Sequence, residues 1–72
     1  MDARERVAGE VRALMGRHRV SQTALASVLG INQSSLSARL CGKLPFDLDE
    51  LFIIAKHFNV EVTSLLGSPK TG

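Results

Sequence analysis

Catalysis or metal binding in this chain would rest on two histidines, one cysteine and seven acidic residues. His18 and His57 stand far apart, with no Cys pair and no His-x-x-x-His spacing, which argues against the ligand patterns that zinc uses. Cys41 has no sequence partner that marks it as a nucleophile. As the single cysteine it cannot form an internal disulfide, which fits a reducing cytoplasm. Gly42-Lys43 lacks the upstream glycine and the following Ser/Thr of a phosphate loop. Asp47 and Glu50 stand at capping-box spacing before an apolar run, which accounts for them without catalysis. We therefore expect no enzyme, no metal site and no cofactor. The chemistry that remains is hydrogen bonding from a helix surface. Gln33, Ser34, Ser37 and Ala38 are small or polar residues interleaved with Leu36 and Leu40. They cannot be buried with those leucines, and they suggest a surface that reads something. The plain alternative is a solvated face that lowers helix propensity by a few tenths of a kcal/mol per serine.

Those residues need two helices to position them. Ser21 is a good N-cap, because its side-chain oxygen can accept from a free backbone N–H. Leu25, Val28 and Leu29 recur at i, i+3, i+4 and give the helix after it one apolar side. Gly30 falls where a helix ends in a left-handed residue, a conformation that glycine takes cheaply. Ile31 can enter the core at the corner. Asn32 then caps a second short helix, expected to run to about Cys41, with Leu36 and Leu40 facing inward. At about 100° per residue, Ser34, Ser37, Ala38 and Cys41 lie on the opposite side, and Gln33 lies at the leading end. Ala26 is small where the two helices should cross closely.

The flanking segments supply the support. From Asp2 to about Arg17, Val7, Val11, Leu14 and Met15 form a core-facing stripe, and Asp2 and Glu5 have capping-box spacing. Arg17 and Arg19 suit the negative end of that helix, a role that competes with phosphate contact. Gly42 and Pro45 break the chain before the fourth helix, which starts at the Asp47 cap and runs to about Phe58. Phe46 and Leu51 occupy hydrophobic-staple positions, and Leu51, Ile54, Ala55 and Phe58 form the buried stripe. Val62 to Leu66 is a short fifth helix, with Glu61 as a weak cap. Residues 68–72 read as a flexible tail or linker after a domain spanning 1–67. No alternating strand pattern and no internal repeat occur. The fold class is therefore all-α, a compact bundle of five short helices.

Seventy-two residues make one small domain, and 44% hydrophobic residues suffice for one core. No apolar run approaches ~18 residues, so no membrane partner is expected. The charged N-terminus does not read as a signal peptide. Charge is divided unevenly. Residues 1–43 hold seven Lys/Arg against three Asp/Glu, giving +4; residues 44–72 hold two against four, giving −2. A polyanion-binding face would put its positive half where the two short helices are, although an ordinary basic surface would look the same.

The stretch from Ser21 to Leu40 resembles the helix-turn-helix of the lambda-repressor/Cro-like (XRE-type) family. The resemblance is carried by Gln22, Leu25-Ala26, Leu29-Gly30-Ile31, Ser34-Ser35-Leu36-Ser37 and Gly42-Lys43. It continues through Leu48-Asp49-Glu50-Leu51, Ile54-Ala55-Lys56, Phe58-Asn59-Val60 and Leu65-Leu66-Gly67. It departs at Arg39, where many relatives carry an apolar or aromatic residue, and at Leu40, where many carry Glu. The resemblance implies a cytoplasmic transcriptional regulator that binds a double-stranded DNA operator, most often a repressor of the phage Cro or immunity-repressor type. The third helix would enter the major groove. Gln33, Ser34, Ser37 and Ala38 would then read bases, and Ser21, Gln22, Asn32, Arg39 and Lys43 would meet the backbone. Arg39 could equally bridge within the fold. A monomer at low concentration is expected, with pairing of two copies on DNA through the fifth helix as the option the resemblance leaves open, and contact with RNA polymerase is compatible with the same residues. The alternative is a protein-interaction or antitoxin-type module that uses Val60, Val62, Leu65 and Leu66.

Overall fold

The computed structural model describes residues 3–66. Among them the chain forms five helices and no strand: α1 Ala3–His18, α2 Gln22–Leu29, α3 Gln33–Leu40, α4 Leu48–Phe58 and α5 Val62–Leu65. The expected order and number of helices hold, with ends shifted by a residue. The expected Asp2–Glu5 capping box, the Gly67 terminus and the 68–72 tail lie outside the described residues.

Each helix sends a large, fully buried side chain into a single core: Val11, Leu25, Leu36, Ile54 and Leu65, with Ala8 of α1 also fully buried. Val7, Leu14, Met15, Ala26, Leu40, Phe46, Leu51, Ala55 and Phe58 complete it. α1 packs on α3, α4 and α5, and α2 packs on α3 and α4. No helix depends on its own propensity, since each short segment is stabilised by the face it buries.

One core assignment is corrected. Val28 is 38% exposed, and Leu29 packs only partly buried against the cluster. The inward arc of α2 runs through Leu25, Ala26 and Leu29, whose middle lies about 50° past Leu25 at 100° per residue. Val28 sits roughly 110° from that middle. An i, i+3, i+4 pattern on eight residues fits two arcs, and the burial of Ala26 selects the one that excludes Val28.

The helix ends follow local chemistry. Ser21 Oγ accepts from Ala24 N–H at 3.1 Å, and Asn32 Oδ1 accepts from Ser35 N–H at 2.8 Å. Asp47 and Glu50 form the full capping box, with Glu50 N–H donating to Asp47 Oδ1 at 2.8 Å and Asp47 N–H donating to Glu50 Oε1 at 3.0 Å. Phe46 and Leu51, the staple pair, are both buried. Glu61 makes no side-chain cap bond at α5. Gly30 has φ 72°, and Ile31 N–H returns to the Ala26 carbonyl at 3.1 Å, which turns the chain from α2 into α3. α1 and α4 end in the same left-handed way but on Arg19 (φ 57°) and Asn59 (φ 58°), where no glycine relieves the Cβ.

Candidate nucleic-acid interface

The packing of α2 on α3 brings their first turns together. Ser21, Gln22 and Thr23 on one side and Asn32, Gln33 and Ser34 on the other are all exposed. Thr23 Oγ1 donates to Gln33 Oε1 at 3.4 Å, a bond across the two helices. It leaves the Gln33 amide N–H groups available to another molecule. The Ser21 and Asn32 side-chain oxygens are engaged as caps, so the Ser21 hydroxyl hydrogen and the Asn32 amide hydrogens remain as donors. These donors join the free backbone N–H groups of two helix starts, a setting that suits an anion such as phosphate.

Further along α3, Ser37 and Ala38 are half-buried. The chain after Gly42 folds back over this end, because the Ala38 carbonyl accepts from Lys43 N–H at 3.0 Å and Leu44 N–H at 3.3 Å. Gly42 takes φ 82° to allow this, and a Cβ there would approach Glu5 Cγ to 3.1 Å. Lys43 emerges exposed beyond the turn, and Cys41 is an exposed free thiol. Among the candidate reading residues, Gln33 and Ser34 therefore project most freely.

The arginines are not spread as a uniform basic face. Arg12 Nη1 donates to the Leu40 carbonyl, and Arg4 Nη1 donates to the Lys43 carbonyl at 3.2 Å. Arg12 thus satisfies a carbonyl that the end of α3 leaves open, and Arg4 holds a carbonyl in the turn that follows it. Arg39 Nε meets Glu50 Oε1 at 3.0 Å and Arg39 Nη1 donates to the Ser35 carbonyl at 3.0 Å. Of the two roles open to Arg39, the bridge within the fold is the one present in this structure. Arg17 and Arg19 are exposed at the end of α1. Part of the positive charge in the first 43 residues is thus committed to holding α3, and less is available to a ligand than the count suggests.

The other candidate side chains have structural neighbours. The His18 and Phe58 ring centroids are 5.1 Å apart, and those of His57 and Phe58 are 5.2 Å apart edge to face. Among the described residues no group of three or more His, Cys, Asp or Glu could hold a metal ion. No described helix is long and apolar enough to cross a membrane. The sequence reading missed Thr23 and the roles of Arg4 and Arg12. Thr23 had only its place in the first turn of α2 to mark it.

No curated protein and no solved structure matches the chain. A family model described as "BetR domain" matches residues 2–72. The helix-turn-helix reading agrees with that match, whereas phage, Cro and repressor identity form no part of it. By this match over nearly its whole length, the chain belongs to the BetR domain family, a small helix-turn-helix type of domain associated with DNA binding.

Proposed function

We propose that this domain binds double-stranded DNA in a sequence-dependent manner, with α3 in the major groove and the first turn of α2 against the backbone. The observation that carries this reading is the pair of exposed helix starts joined by the Thr23–Gln33 bond. Gln33 offers an amide at the leading end of α3, and an amide can bond adenine N6 and N7 as a pair. Ser34 follows it, and Ser37 and Ala38 reach bases only where the groove closes on the half-buried part of the helix. Ser21, Gln22, Asn32 and Lys43 position the protein on phosphates. Occupying a promoter site in this way represses transcription by excluding polymerase; contact with polymerase from an adjacent site is the activating counterpart. The test is fluorescence anisotropy with a library-selected duplex and a scrambled one over a salt series. The reading requires affinity that falls with salt and a measurable preference for the selected duplex.

The protein-interaction reading through the fifth helix finds less support. Leu65 is fully buried, and Val60 and Val62 pack against the core, which leaves Leu66 as the exposed apolar residue of that segment.

A further inference from the structure

The apolar surface that α5 lacks lies on α4. Leu48, Phe52 and Ile53 are 62%, 54% and 39% exposed, on a helix whose other apolar residues are in the core. Three large apolar side chains exposed on one helix of so small a domain make α4 the candidate interaction face. At 100° per residue, Asp49 and Lys56 fall on the centre line of this outer face, about two turns apart, with Phe52 on one side and Ile53 on the other. Asp49 and Lys56 are exposed and make no ion pair among the described residues. A cleft lined by Val28, Ile53, Lys56 and His57 borders the face on the α2 side.

We propose that this face binds a second copy of the same chain, α4 against α4, antiparallel about a twofold axis between Phe52 and Ile53. That axis keeps each flank of the helix on its own side, so Phe52 meets Phe52 and Ile53 meets Ile53 of the other copy, and Asp49 meets Lys56 near the centre line. The helix is self-complementary in this register: opposite charges meet at both ends, and the two exposed Phe52 rings pack on each other between them. A twofold interface must match itself in this way, since each contact occurs twice. A parallel pairing in register would set Asp49 against Asp49 and Lys56 against Lys56. Three exposed apolar side chains and one charge pair per copy make a limited face, so the pairing is weak in solution. The proposal does not depend on DNA binding.

The test is sedimentation equilibrium of the 72-residue chain, up to about 1 mM, a range that detects millimolar self-association. The variants are Asp49→Lys, Lys56→Asp, the double exchange and Phe52→Glu. The wild type should self-associate. Each single reversal makes two repulsive contacts by symmetry and should weaken association roughly tenfold. The double exchange restores both pairs in opposite sense and should return association close to wild type, and Phe52→Glu should abolish it. Each reversal also opposes the helix dipole, so damage to the fold would be greatest in the double variant; thermal melts of the same samples record it. A chain that stays monomeric throughout, single variants that associate like wild type, or a double variant weaker than either single one would overturn the proposal. The first result would leave the face to a different partner.

Discussion

Thr23 and Gln33 stand ten residues apart in the chain, and their side-chain oxygens lie 3.4 Å apart across the α2–α3 corner. Under the proposed DNA-binding mode, the bond ties the base-reading Gln33 to the helix that sits on the backbone. Thr23→Val removes the hydroxyl and keeps the shape. It should leave folding stability within about 0.5 kcal/mol, as for other surface changes. Preference between selected and scrambled duplexes should fall, because Gln33 then has more orientations to lose on binding. Competition anisotropy measures this; unchanged preference would show that the bond does not orient Gln33.

Leu36 and Val28 separate core from surface. Leu36→Ala should cost about 2–5 kcal/mol, since the side chain is fully buried at the centre of the bundle. Val28→Ala should cost less than about 1 kcal/mol at its exposed position. Urea denaturation compares the two, and equal losses would contradict the inward arc through Ala26.

Arg39 and Glu50 give a test of role. Glu50 is buried, and it holds both its own cap and the Arg39 guanidinium. Arg39→Ala removes one of the two partners and should cost roughly 1–3 kcal/mol. Its effect on DNA affinity, measured where the variant is fully folded, should be small. Normal stability with uniformly weakened DNA binding would instead make Arg39 a phosphate contact.

Arg19 and Gly42 predict opposite signs. Arg19 occupies a left-handed position at the end of α1, so Arg19→Gly should stabilise by about 0.5–1 kcal/mol and raise Tm by a few degrees. Gly42→Ala adds a Cβ at φ 82° against Glu5 and should destabilise by about 1–2 kcal/mol. Calorimetric melts read both; destabilisation by Arg19→Gly would mean that its side chain contributes more than its backbone conformation costs.

What was legible in the sequence follows from how local each feature is. The Asp47–Glu50 box and the Ser21 and Asn32 caps involve atoms within three residues, so type and spacing determine them. Val28 was misplaced because eight residues of periodicity fix an apolar arc only to within a sector, and a neighbouring helix chooses the rest. The bonds from Arg12 to the end of α3 and from Arg4 to the turn after it cross 28 and 39 residues. Nothing in the pattern of α1 distinguishes an arginine that holds a carbonyl from one that faces solvent. The reading surface was partly visible: residues excluded from the Leu36–Leu40 seam had to face outward. The half-burial of Ser37 and Ala38 depends on how the chain after Gly42 folds back.

The central claim is that α3 reads bases from its leading end while Lys43 only positions the protein. The most direct measurement is the affinity of Gln33→Ala and Lys43→Ala for selected and scrambled duplexes across a salt series. Gln33→Ala should lose roughly 1–3 kcal/mol on the selected duplex alone and relax preference at one base position. Lys43→Ala should weaken both duplexes alike and lower the salt slope by about one unit. Equal losses of Gln33→Ala on both duplexes, with a changed preference in Lys43→Ala, would reverse these roles. Wild-type affinity in both variants would contradict the account of α3 as the reading element.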